Sequence, residues 1–410
     1  MALGLYVIVA FNTIIEVIKQ MKAGIDRISF YTSRYCLDLK DLAEARDVDW
    51  NKYSIGIGQE IMGIPPPDED IVTMAASAAK PIIDEVGVEG IDLVLFATES
   101  SIDQSKSAGL FLHGLLGLQS RCRLVELKQA CYSGTIALRM AALYVAASPQ
   151  SKALVLTSDI ARYDLGSPGE PTQGCGAVAM LITANPSLLT LDPEYGVHAK
   201  DVMDFWRPNY RGEALVDGKY STRIYLNSLS ESWKQYASET GRTLNDFTRC
   251  CYHIPFTNMA SKAHDRLLKD AGIREGRKEI IESQVKESLS YNRITGNTYS
   301  ASLYEGITCL LDNANDPLDG KRIGLFSYGS GSVGEFFSAV VTPGYRDSLY
   351  TTNHKTLLES RSMLSVQQYE DIFNLNTPTD GWDYKFGEYQ TGSFRLAGMH
   401  AHKRIYEAVT

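Results

Sequence analysis

The sequence has no C-x-x-C pair, no G-x-x-x-x-G-K-[ST] loop and no G-x-G-x-x-G run that opens a helix. These absences remove the usual sequence evidence for a zinc ribbon, a P-loop nucleotide site and a Rossmann dinucleotide site. The seven His residues do not fall at ligand spacing with the cysteines, so no metal ligand set is read. Positive charge is also short: 40 Lys and Arg stand against 49 Asp and Glu, a formal charge of −9. Phosphate recognition needs concentrated Lys and Arg, so no nucleic-acid partner is expected and any anionic ligand must meet a local basic pocket. Long hydrophobic runs are missing at the amino terminus. Met1 to Phe11 is apolar, but Asn12, Glu16 and Lys19 interrupt it before it could span a bilayer, and no basic n-region precedes it. No membrane partner is expected, and residues 1–20 read as an extension without an assigned function.

What is present is an ordinary globular composition, 44% hydrophobic and 22% charged, over 410 residues. A chain of that length buries a large core and forms more than one structural unit. Its seven cysteines, Cys36, Cys122, Cys131, Cys175, Cys250, Cys251 and Cys309, are odd in number and scattered. That pattern fits unpaired thiols in a reducing compartment, and the expected location is cytoplasmic. Strand and helix signals alternate, which indicates an α/β architecture. Residues 91–97 and 153–157 read as buried strands, and Ile136 to Ala147 as a helix apolar on all sides. Such a helix is expected to be wholly buried, here in a middle layer between sheets.

The order of elements repeats. Cys131-Tyr132-Ser133-Gly134-Thr135 opens one apolar helix, and the run Gly174-Cys175-Gly176 leads a later strand. In the second half Gly296-Asn297-Thr298-Tyr299-Ser300 opens a similar helix, and Gly329-Ser330-Gly331 precedes Phe336-Phe337. Two similar halves are expected, residues 21–190 and 191–410.

Three segments place reactive groups beside strands. Cys131 stands where a strand-like run meets a helix start, a position whose unpaired N–H groups and dipole favour a thiolate. The position also suits a small buried hydrophobe. Glu99, in Thr98-Glu99-Ser100-Ser101, follows the strand ending at Ala97, where α/β sheets gather ligands; a solvated loop carboxylate has the same signature. His253 lies between apolar residues and Pro255, and fits either a satisfied core histidine or a catalyst. Taken together, a nucleophilic thiol, a carboxylate base and a polarising imidazole suit carbon–carbon bond formation on thioesters.

These motifs, with Ile55-Gly56-Ile57-Gly58-Gln59, Glu170-Pro171-Thr172-Gln173-Gly174, Asp204-Phe205-Trp206-Arg207-Pro208 and His253-Ile254-Pro255-Phe256, resemble a known family. The sequence is similar to the 3-hydroxy-3-methylglutaryl-CoA synthases of the bacterial mevalonate type, in the thiolase superfamily, from about Gly24 to beyond Phe337. The resemblance implies a five-layer αβαβα fold, a homodimer, CoA thioester substrates and no metal or organic cofactor. It implies that Cys131 carries an acetyl group, that Glu99 removes a methyl proton from it, and that His253 polarises the carbonyl of acetoacetyl-CoA. Thr172, Asn297 and Ser330 then fall at substrate-contacting positions. Lys262 is a candidate for the CoA phosphates, although a solvated helix lysine looks the same. One departure is Asn258, where family members often carry Lys.

A second reading is the related synthase that acts on an acetoacetyl group held by an acyl carrier protein. Thiolase or ketoacyl synthase chemistry is a third, although thiolases use a second cysteine as base where this chain offers Glu99. A non-catalytic protein retaining the fold is a fourth. The chain after about Val340 reads as peripheral helices.

Overall fold

The computed structural model describes residues 22–375, 378 and 380–409, and the extension 1–20 lies outside them. One nine-stranded sheet dominates. Its strands are β1 (Gly24–Tyr31), β2 (Ile91–Ala97), β3 (Arg123–Leu127), β4 (Lys152–Ala161), β5 (Gly174–Thr183), β6 (Leu189–Ala199), β7 (Arg249–Tyr252), β8 (Arg322–Gly329) and β9 (Val333–Val341). Five helices carry the argument: α1 (Ile71–Val86), α2 (Ser133–Ala147), α3 (Gly218–Thr240), α4 (Asn258–Asp270) and α5 (Ser302–Asn313).

Across the sheet the order is β7-β8-β9-β6-β1-β5-β4-β2-β3. From the outside inward, β2 pairs parallel with β4, β4 antiparallel with β5, and β5 antiparallel with β1. The other half repeats this: β7 parallel with β8, β8 antiparallel with β9, β9 antiparallel with β6. The halves meet edge to edge where Gly24 and Ile25 of β1 pair with Thr190 and Leu189 of β6. The first half alone has an extra outer strand, β3. Helix α2 precedes β4, and α5 precedes β8 in the same place, so the repeated order read in the sequence is a repeated topology. The central strands β4, β5 and β8 are almost continuously buried, as parallel and inner strands covered on both faces must be.

Two expectations change. Helix α2 is buried along Gly134, Thr135, Ala137, Leu138, Ala141 and Val145, but Met140 is 46% and Leu143 71% exposed. Its buried face packs on β4, β2 and β5, and only its margin reaches β3, the last strand of the sheet. With no further layer beyond that edge, the outer face of α2 stays uncovered, and Val125 of β3 is 45% exposed beside it. By length and composition residues 130–147 could cross a membrane, yet half of that window is buried inside the protein. The carboxyl-terminal segment also differs from a set of peripheral helices. After the helices Thr351–Glu359 and Val366–Asn374 comes a hairpin, Phe394–His400 with Lys403–Ala408. It docks on the first half: Arg395 pairs with buried Asp68 at 3.1 Å, and Tyr406 donates to Asp70 Oδ2 at 2.6 Å. Asp70 caps α1, accepting from the Val72 and Thr73 N–H groups, so the hairpin is tied to a helix start.

Candidate active site

The loops that carry chemistry leave the carboxyl ends of equivalent strands: Glu99 follows β2 and His253 follows β7. Cys131 and Ser302 stand at the amino-terminal turns of α2 and α5. Between them opens a cleft of about 450 Å³, lined among others by Cys131, Thr172, His253, Asn297 and Ser330, with Tyr163, Phe205, Phe256 and Tyr299 as aromatic walls. Five of the seven residues singled out in the sequence therefore share one cavity. Glu99 joins through the thiol, because Cys131 Sγ donates to Glu99 Oε1 at 3.0 Å. Lys262 is exposed on α4 outside the lining, its Nζ 4.8 Å from the Phe256 ring at the wall of the cleft.

Local backbone explains the placement of the thiol. Ala130 has φ 44°, a left-handed conformation that costs a non-glycine residue about 1–3 kcal/mol. It turns the chain sharply from β3 toward α2. Gly329 lets the second half approach this turn: a Cβ there would lie 2.5 Å from Gln129 O and 2.7 Å from Tyr132 Cβ. Further bonds join the halves around the site. Tyr132 donates to Glu335 Oε2 at 2.6 Å, Arg139 pairs with Glu335 Oε1 at 2.8 Å, and Gln129 Nε2 donates to Ser330 O at 3.2 Å.

Glu99 is fixed by a buried carboxylate on β4. Asp159 Oδ1 accepts from Thr98 Oγ1, Glu99 N and Ser100 N at 2.8, 2.9 and 3.0 Å. Its Oδ2 accepts from Ser300 N at 3.0 Å and from Ser300 Oγ. The Arg207 guanidinium donates to the Glu99 carbonyl. Burial raises the Glu99 carboxyl to about 8, reinforced by Asp159 and opposed by the Cys131 hydrogen bond and by Arg207. Burial, then the neighbouring Glu99, also pushes the Cys131 thiol well up. This reverses the expectation that the helix start lowers it, because desolvation and a carboxylate at 3.0 Å outweigh a partial dipole charge. Above about pH 8 the pair therefore rests as a thiol hydrogen-bonded to a carboxylate. The nucleophile forms by proton transfer within the pair, without a standing thiolate.

His253 is 3% exposed, and burial lowers it to about 3, so its ring is neutral. Its carbonyl accepts from Tyr225 OH at 2.8 Å and its N–H donates to Phe326 O at 2.7 Å. Thr172 Oγ1 donates to Gly169 O at 2.7 Å, and Asn297 Oδ1 accepts from Tyr299 N at 2.9 Å. The sequence reading did not single out Asp159, Ser300 or Ser302. A lone Asp inside the apolar strand 152–161 is the signal that would have found the first. Asn258, the departure noted above, donates to Ile55 O at 2.7 Å and Gly56 O at 3.3 Å. It braces the turn next to Ile57 in the cleft wall.

The family descriptions "Hydroxymethylglutaryl-coenzyme A synthase N terminal" and "C terminal" match residues 19–187 and 190–275 with 270–381. The chain belongs to the hydroxymethylglutaryl-CoA synthase family. It is 44% identical over 360 residues to the hydroxymethylglutaryl-CoA synthase of Enterococcus faecalis, covering 88% of this chain and 94% of that one. It is 35% identical to the polyketide biosynthesis 3-hydroxy-3-methylglutaryl-ACP synthase PksG of Bacillus subtilis, over 86% of this chain and 88% of that one. A crystal structure of an HMG-CoA synthase complexed with CoA superposes with a TM-score of 0.90 at 41% identity, over 95% of this chain and 100% of that one. The structure of MvaS with 3-hydroxy-3-methylglutaryl coenzyme A gives 0.87 at 36%, over 95% and 99%. The fold is thus the thiolase-like fold of this acyl-transferring family.

Proposed function

We propose that the protein condenses acetyl-CoA with acetoacetyl-CoA to give 3-hydroxy-3-methylglutaryl-CoA and CoA, the step that supplies mevalonate. The observation that carries this reading is the Cys131–Glu99 pair at 3.0 Å in one cleft with a neutral His253. Cys131 gives its proton to Glu99 as sulfur attacks the acetyl carbonyl, and the departing CoA sulfur takes that proton. The Glu99 carboxylate then removes a proton from the acetyl methyl, and the carbanion forms a bond to C3 of acetoacetyl-CoA. His253 polarises that carbonyl, and the resulting alkoxide is protonated from Glu99. Water cleaves the Cys131 thioester, leaving a carboxylic acid on the product and the thiol on the enzyme. The cycle balances with the substrates and water alone, and this reading assigns its proton and oxyanion tasks to Glu99 and His253, with no metal or organic cofactor.

Thr172, Asn297 and Ser330 contact the substrates from the cleft walls. Lys262, beside Phe256 at the rim, attracts the CoA phosphates as a point charge. The enzyme works as a homodimer in the cytoplasm. The first statement is supported by the uncovered edge formed by Val125, Met140 and Leu143, the second by seven free cysteines. Leu143→Glu is expected to yield monomers by sedimentation; a dimer as stable as the wild type contradicts this interface.

The test is the intact mass of the protein after acetyl-CoA, then after acetoacetyl-CoA. An acetyl adduct on Cys131 that disappears as HMG-CoA is released supports the reading. An adduct that persists until an acetoacetyl carrier protein is added assigns the protein to the carrier-dependent branch instead. No adduct contradicts both.

A further inference from the structure

One buried hydroxyl beside the cleft has no task in this cycle. Ser302, the first residue of α5, is fully buried. Its Oγ lies 2.6 Å from His253 Nδ1 and accepts from the Ile254 backbone N–H at 3.1 Å. A serine hydroxyl has one proton and two lone pairs. The Ile254 amide occupies one lone pair. A protonated Nδ1 would fill the other, and the Ser302 O–H would then have no acceptor among the described residues. A buried donor left unpaired is costly. With Nδ1 unprotonated, Ser302 donates to it and every group is satisfied, which puts the ring proton on Nε2.

We propose that Ser302 is a positioning residue that holds His253 as the Nε2–H tautomer, so that the ring offers a donor to the oxygen of the acceptor carbonyl. The opposite tautomer would present a lone pair to the carbonyl oxygen and to the alkoxide that forms from it, repelling the charge that has to be stabilised. The ring has little room to turn, since it is 3% exposed and its Nδ1 is anchored on Ser302. This inference rests on His253 acting on the acceptor.

The experiment separates the two stages. Ser302→Ala is expected to acetylate Cys131 to wild-type stoichiometry, which also reports that the site has folded. Transfer from the acetyl-enzyme to acetoacetyl-CoA should then slow by about 10- to 100-fold. Ser302→Thr, which keeps the hydroxyl, should restore most of the rate. The ring-nitrogen shifts of ¹⁵N-histidine-labelled wild-type protein, assigned with His253→Ala, should show the Nε2–H form. That measurement decides the matter even where Ser302→Ala does not fold. Wild-type protein in the Nδ1–H form, or Ser302→Ala condensing at the wild-type rate, overturns the proposal. His253→Ala condensing normally would overturn the reading of His253 itself.

Discussion

The two halves begin their inner helices with the same backbone device and use it for different chemistry. Ala130 and Tyr299 have φ 44° and 45°, and each stands three residues before its helix, at Ser133 and Ser302. The next residue is Cys131 in the first half and Ser300 in the second. Cys131 bonds Glu99 of its own half, whereas Ser300 reaches across to Asp159, which holds the Glu99 loop. The first half thus keeps the reactive pair. The second half has turned the matching position into a brace and supplies His253 for the acceptor. A duplicated framework gives two strand ends and two helix starts facing one cleft, and side-chain identity alone divides the labour.

The comparison breaks first at the nucleophile. Cys131→Ala should remove the acetyl adduct altogether and lower turnover by more than about 10³-fold, read by intact mass and product assay. Glu99→Gln should slow condensation by about 10²- to 10⁴-fold, read by single turnover of pre-formed acetyl-enzyme. Asp159→Ala removes an acceptor from five donors on Thr98, Glu99, Ser100 and Ser300, of which Ser100 N keeps Thr98 Oγ1 and Ser300 Oγ keeps Ala97 O. It should destabilise the fold by about 3–5 kcal/mol in denaturant unfolding, the range for breaking a buried charged network. A loss below 1 kcal/mol, on the order of a surface pair, would mean that the second half does not brace the first.

The amplitude of pH effects is smaller, and its sign follows from the raised Glu99. As pH falls through about 8 the carboxylate takes up a proton and can no longer accept one from Cys131. Acetyl transfer should therefore slow toward pH 6, while His253, lowered to about 3, adds no inflection across that span. A rate that is flat from pH 6 to 9 contradicts the pairing. The smallest effect expected is that of Asn258→Lys, which exchanges a brace on Ile55 and Gly56 for a charge at the rim. The KM for acetyl-CoA should fall by about twofold, the size of an exposed electrostatic contact.

Much of this was legible in the sequence because reactive groups at strand ends and helix starts leave local signals. Glu99, Cys131 and His253 stand next to apolar runs of clear length, and the glycine runs at 174–176 and 329–331 mark close backbone approaches. The two halves were visible as a repeated order of these features. Long-range contacts were not visible. The thiol's upward shift comes from burial in the folded site and then from a carboxylate 32 residues away, and the proposed orientation of His253 depends on a serine 49 residues away. The exposed face of α2 was hidden for a related reason: apolar periodicity shows that a face is buried against something, not whether this chain or another copy supplies the cover. The return of the terminal hairpin onto Asp68 and Asp70 is equally non-local.

Division of labour between the halves makes proton removal independent of the acceptor side, and deuterium exchange reads this directly. Acetyl-enzyme is formed in D₂O without acetoacetyl-CoA, and the mass gain of the Cys131 adduct is followed in wild type, Glu99→Gln and His253→Ala. The account predicts methyl deuteration in wild type and His253→Ala, and none in Glu99→Gln. Deuteration that survives in Glu99→Gln, or is lost in His253→Ala, would contradict it.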